Sequence, residues 1–167
     1  ETLTAKDLLY IMLIESSNDA AYALAEAIGV DNFVSMMNWE AQNIRLRDTH
    51  FANPAGFDDP QNYSTAQDLA VLTKTLLSQP LVWEILQKPG YKLYSPDGKL
   101  HHILINTNIL LTQDSPWIDK IYGGKTGYTE QANGCLLLVI NDEGKYLVSI
   151  ILGADDRFQE MQNLLDH

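Results

Sequence analysis

The chain has 167 residues, 46% of them apolar, with 22 acidic against 11 basic side chains and a formal net charge of −11. That apolar share suffices for one domain to build its own core and is too high for a disordered segment, while the negative charge repels phosphate backbones and anionic lipid and argues against nucleic acid as a partner. A single cysteine, Cys135, rules out an internal disulfide, and the longest apolar run, Leu8 to Ile14, falls short of the roughly twenty residues a membrane-spanning helix needs.

The first residue is Glu1, and a helical pattern begins almost at once. Thr4 followed by Asp7 fits a capping box, and Leu8, Leu9, Met12 and Leu13 recur at helical spacing, so a helix is expected over about Ala5 to Ile14. The polar cluster Glu15-Ser16-Ser17-Asn18-Asp19 interrupts it. An alanine-rich helix then runs from Ala20 to Ile28 and stops at Gly29. Asp31 is expected to cap a third helix carrying Phe33, Met36, Met37 and Ile44. Turn residues crowd Asn53-Pro54-Ala55-Gly56 and Asp58-Asp59-Pro60. A fourth helix, capped by Ser64 or Thr65 with Asp68 in its first turn, presents Leu69, Leu72 and Leu76.

Beyond it the period changes from helix to strand. Tyr91–Tyr94 and Leu100–Ile105 flank Ser95-Pro96-Asp97-Gly98 as a hairpin. Cys135–Ile140 and Tyr146–Leu152 flank Asn141-Asp142-Glu143-Gly144 as a second, whose leucine-rich interiors predict buried central strands. A closing helix from about Asp155 puts two carboxylates at its positive end and turns Phe158, Met161, Leu164 and Leu165 inward. Helices first, hairpins next and a helix last is the segregated order of an α+β fold. The expected division is a helical part over about residues 1–88 and the strands with the last helix over about 89–167, within one domain.

Two groups carry chemistry. Gly123-Gly124-Lys125-Thr126-Gly127 sets a cation and a hydroxyl beside exposed backbone, which outlines an anion site. A phosphate loop would need glycine five positions before Gly124, and Asp119 stands there. The plainer alternative is a glycine-rich strand whose lysine is merely solvated. Ser16-Ser17-Asn18 lies where two helices meet; these are preferred capping residues, and they are also a hydroxyl and a carboxamide held over a cleft. His50, His101, His102 and His167 lack the helical pairing of a zinc site, so neither a metal nor a cofactor is implied. Asp58 and Asp59 read as turn formers and Cys135 as a packing residue.

Taken together, Ser16-Ser17-Asn18 and Lys125-Thr126-Gly127 resemble the second and third motifs of the penicillin-recognising serine enzymes. The resemblance is closest to the D-alanyl-D-alanine carboxypeptidases of peptidase family S11, the low-molecular-mass penicillin-binding proteins. It is carried by Ser16 to Ala21, by Phe51-Ala52-Asn53-Pro54-Ala55-Gly56-Phe57 with Tyr63-Ser64-Thr65-Ala66 and Asp68-Leu69-Ala70, and by Gly124 to Thr129. It implies the DD-peptidase/β-lactamase-like (transpeptidase-like) fold. The implied substrate is a peptidoglycan stem peptide ending in D-Ala-D-Ala, cleaved through an acyl-serine. Ser16 would pass a proton to the leaving amine, and Asn18 would hold the substrate amide. Lys125 and Thr126 would hold the terminal carboxylate, Gly127 would let the peptide approach, and the Tyr128 N–H would serve the oxyanion.

One element of that pattern is missing. These enzymes attack with the serine of a Ser-x-x-Lys motif, and no serine here is followed by lysine three positions on; Ser95 misses by one, with Lys99. The expectation is therefore a partial domain without its N-terminal part, inactive alone, whose intact parent would bind β-lactam antibiotics. The resemblance implies an extracytoplasmic location. A non-catalytic module binding peptidoglycan peptides or a cell-wall partner is the alternative. A class A β-lactamase is a third reading, disfavoured because its second motif usually has Asp at the position of Ser17. A sheet lacking its first part exposes an edge, so a homodimer through that edge is expected.

Overall fold

The computed structural model describes residues 2–112 and 116–167. Five helices come first: α1 (Ala5–Ile14), α2 (Asn18–Glu26), α3 (Val30–Asn43), α4 (Ala66–Leu76) and α5 (Pro80–Leu86). The hairpin β1 (Gly90–Tyr94) and β2 (Leu100–Ile105) follows, then two short 3₁₀ turns, and then β3 (Ile121–Thr129), β4 (Asn133–Asp142), β5 (Lys145–Ala154) and α6 (Arg157–Leu165). β1 and β2 form one antiparallel pair, and β3-β4-β5 form an antiparallel meander.

The capping box at the start of α1 is complete. Asp7 N–H donates to Thr4 Oγ1 (3.1 Å), and Thr4 N–H donates to the Asp7 carboxylate (2.9 Å). Replacing Thr4 with alanine should cost about 1 kcal/mol, read as a lowered melting temperature. Asp31 does not cap α3. Its N-cap is Gly29, at φ +89° with no side-chain bond, and the helix stops at Asn43, one residue short of Ile44. Thr65, not Ser64, caps α4, accepting from Asp68 N–H. α5 was not expected. Its seven residues begin on Pro80 and meet α4 at 113°, burying Trp83, Ile85 and Leu86.

β4 shows why its sequence is apolar almost throughout. Leu136, Leu138 and Ile140 face α6 and pack with Met161 and Leu165, while Val139 joins Trp83 and Leu86 on the α5 side. Both faces are covered, which removes the usual alternation. β5 is no central strand: it closes one edge of the meander, and Leu147 and Leu152 are about half exposed. Leu164 likewise lies on the outer side of α6. A second core, Tyr10, Ile14, Ile85, Leu93 and Leu104, ties α1 to α5 and the first hairpin.

The segment after β2 stitches these parts together. Asn106 is pinned by its N–H to Pro89 O (2.9 Å) and by Nδ2 to Lys88 O (2.8 Å), and Thr107 N–H donates to Ile14 O (3.2 Å). The end of α1 is thereby fixed against the strands. The loop between α3 and α4 is organised by Asp68, which is buried and accepts from Asp48 N–H and Thr49 Oγ1 at 2.7 Å each. Those donors hold its carboxyl below the usual range despite the opposing effect of burial, which is the largest single influence on it. Asp59 is a turn former as expected, accepting from Gln61 N–H at 2.7 Å.

Candidate active site

The two serines of the joint between α1 and α2 divide the work. Ser17 caps α2, accepting from Ala20 N–H at 3.3 Å. Ser16 is bent into the left-handed region at φ +60°, a conformation that costs a non-glycine residue about 1 kcal/mol or more. Its exposed hydroxyl accepts a hydrogen bond from Lys125 Nζ at 2.6 Å, across 109 residues of sequence. Asn18 opens α2, and its carboxamide is exposed without a hydrogen-bond partner among the described residues. The capping reading therefore holds for Ser17, while Ser16 turns to Lys125 and Asn18 is exposed at the start of α2.

Lys125 stands on β3, whose outer edge pairs with no strand among the described residues. Besides Ser16, its ammonium donates to Thr126 O at 3.0 Å. Its stem lines an apolar cavity of about 310 Å³ between α4, α5 and the meander, walled by Leu69, Leu72, Leu76, Trp83, Leu137 and Ile150. Burial beside that wall, with Arg157 as the second cause, pulls the ammonium down from the ordinary lysine range to about 8. Thr126 is buried, and its Oγ1 lies 2.5 Å from Thr107 Oγ1. Gly127 lines the same cavity, whereas the Tyr128 ring is mostly exposed. The structure thus gathers Ser16, Lys125, Thr126 and Gly127 around one cleft.

Two participants were not anticipated. Arg157 Nη1 donates to Gly127 O at 3.1 Å, and its Nε is buried with no partner. Neither Lys125 nor Arg157 makes an ion pair among the described residues, in a chain of net charge −11. Two cations without an ion-pair partner among the described residues and two hydroxyls lie beside an open strand edge, an arrangement with the chemistry to meet an anion and the backbone to pair with it. Arg157 carried one sequence signal: it is a cation in the first turn of a helix, where the dipole disfavours it. Thr107 carried none, because its partner lies 19 residues away.

Known proteins resemble the chain along nearly its whole length. Residues 1–156 match the peptidase S11 family of D-alanyl-D-alanine carboxypeptidases. The chain is 33% identical over 172 residues to the D-alanyl-D-alanine carboxypeptidase DacF of Bacillus subtilis, covering 99% of this chain and 43% of that protein. Among solved structures, a D-alanyl-D-alanine carboxypeptidase from Mycobacterium tuberculosis superimposes with a TM-score of 0.84 at 31% identity, over 98% of this chain and 63% of that one. A penicillin-binding protein from Listeria monocytogenes, solved with cefotaxime bound, gives 0.86 at 31% identity, over 99% and 66%. The chain spans less than half the length of the curated DacF it matches. With the fold, both motifs and these likenesses in agreement, the chain belongs to the D-alanyl-D-alanine carboxypeptidase family, peptidase S11.

Proposed function

We propose that this chain binds the D-Ala-D-Ala end of a peptidoglycan stem peptide and forms the carboxylate-binding and proton-relay part of a serine-type D-Ala-D-Ala carboxypeptidase. The observation that carries the reading is the pair of unpaired cations, Lys125 and Arg157, beside the Thr126 hydroxyl at an open strand edge. The terminal carboxylate takes the Lys125 ammonium and the Thr126 hydroxyl, with the Arg157 charge behind them. The peptide lies along β3, where Gly127 puts no Cβ in its path and the Tyr128 N–H serves the oxyanion. Asn18 holds the substrate amide. Ser16, already bonded to Lys125, passes a proton to the leaving D-alanine amine.

The acylating serine and its lysine belong to a Ser-x-x-Lys motif that this sequence does not contain. Acyl transfer, and the capture of β-lactams, accordingly belong to a polypeptide that supplies this motif. The site of action is extracytoplasmic, where peptidoglycan stem peptides are met, and a second copy pairing at an exposed sheet edge is the proposed oligomer.

Titrating the chain with N-acetyl-D-alanyl-D-alanine and with its C-terminal amide, followed by NMR, tests the reading. The acid should bind at least about tenfold more tightly than the amide, the worth of charge-assisted hydrogen bonds, and Thr126→Val should erode that preference. Equal binding of acid and amide would sink the proposal.

A further inference from the structure

Thr107 is held more firmly than a residue at the end of a two-stranded hairpin needs to be. Its own N–H is spent on Ile14 O, just ahead of Glu15 and Ser16. On one side Asn106 is locked to Lys88 O and Pro89 O; on the other Asn108 is fully buried, with its N–H on Asn106 Oδ1 at 2.8 Å. With the backbone fixed on both sides, the half-buried Thr107 side chain meets Thr126 hydroxyl to hydroxyl at 2.5 Å.

A hydroxyl has one hydrogen, so only one of these two threonines donates in the bond between them. A carboxylate can only accept. If Thr126 spent its hydrogen on Thr107, it would turn a lone pair toward the ligand and repel it. A carboxylate is met properly in one sense only: Thr107 gives its hydrogen to Thr126, and Thr126 gives its own to the ligand. We infer that Thr107 is a positioning residue that donates to Thr126 Oγ1 and so aims the Thr126 hydrogen at the terminal carboxylate of the peptide. The inference rests on the carboxylate reading of the site given above. The two bonds run in one direction, so each polarises the next. A neutral amide offers both a donor and an acceptor and can meet Thr126 in either sense, so the effect of Thr107 falls on the acid.

The experiment compares wild type, Thr107→Val, Thr107→Ser and Thr126→Val as full chains, each titrated with N-acetyl-D-alanyl-D-alanine and its C-terminal amide. Melting temperatures are recorded alongside to show that each variant is folded. Valine keeps the shape and the backbone N–H but removes the hydroxyl. Thr107→Val should lower the preference for acid over amide by about three- to tenfold, the range of one hydrogen bond, through weaker binding of the acid. Thr107→Ser should restore it. An unchanged preference in Thr107→Val, or acid and amide weakened equally, would overturn the positioning role while a loss in Thr126→Val leaves the site reading standing. A serine variant as impaired as the valine variant would exclude the hydroxyl as the cause. No acid preference in wild type, or its survival in Thr126→Val, would overturn the carboxylate reading and this inference with it.

Discussion

Lys125→Met should abolish the preference for a free carboxylate and yet make the fold more stable below about pH 8. The Lys125 ammonium is partly withdrawn from water, at the end of a side chain that lines an apolar cavity, and lies near Arg157; burial first and Arg157 second pull it down to about 8. The folded state therefore disfavours the charged form, whereas the unfolded chain keeps its proton up to the ordinary lysine range of about 10.4. Between these two values the unfolded state binds the extra proton, so the stability of wild type rises with pH across that window. Below it the full penalty is present, and above it the penalty is gone. Methionine carries no charge to desolvate, and the bonds to Ser16 Oγ and Thr126 O that it gives up offset part of the gain. The net is an expected stabilisation of about 1 to 2 kcal/mol near pH 6.5 that fades toward pH 11. Urea unfolding of both proteins at three pH values reads this directly, and a methionine variant less stable than wild type at pH 6.5 would refute it. The same ammonium makes ligand binding pH-dependent: the acid should weaken as pH rises through about 8, and its binding there should take up a proton. A site whose defining lysine costs stability is one kept for its ligand.

How much of this was legible in the sequence depended on how local each feature is. The bounds of α1 were readable because Thr4 and Asp7 satisfy each other within one turn. The β4–β5 hairpin was readable because Asn141 accepts from Gly144 N–H at 2.9 Å, and Gly144 takes the positive φ the turn requires. α5 was not, since seven residues buried at Trp83, Ile85 and Leu86, with Glu84 as the single charge among them, are too few to set a period; Pro80 marked its start. Gly29 took the cap from Asp31 because the chain enters α3 through a left-handed residue. Leucines in β5 announced burial without saying that the strand would stand at an edge. In the site, residue type singled out the Ser16-Ser17-Asn18 joint and the Gly123–Gly127 segment, and only the family resemblance added Tyr128 and the separate roles of Ser16, Asn18, Lys125, Thr126 and Gly127; nothing in two adjacent serines says by itself which one caps and which one turns to the lysine. A backbone angle at Ser16 decides that, two residues past the point where Thr107 N–H fastens the end of α1.

Gly124→Ala should cause a larger loss of stability than any other substitution considered above, although it adds one methyl group to an exposed-looking motif. A Cβ at Gly124 would stand 2.7 Å from Leu137 O, 2.9 Å from Leu138 Cδ1 and 3.1 Å from Asn108 Nδ2. The first of these is backbone of the paired strand β4, so relief means parting β3 from β4 at Gly124↔Leu138, where Leu138 belongs to the main core. Overpacking of this kind costs about 3 kcal/mol, which for a chain of this size lowers the melting temperature by about 6 to 12 °C. Gly127, three residues along the same strand, separates the two uses of glycine in the motif. A Cβ there meets only Cys135 Cβ, at an ordinary 3.6 Å, and otherwise projects into the open cleft beside Lys125 and Thr126. Gly127→Ala should accordingly melt close to wild type while weakening acid and amide ligands alike, because its methyl group stands where the peptide must lie. Equal melting temperatures for the two alanine variants would mean that β3 can shift on β4 without cost. In that case the close approach at Gly124 is not what fixes the spacing of β3 and β4.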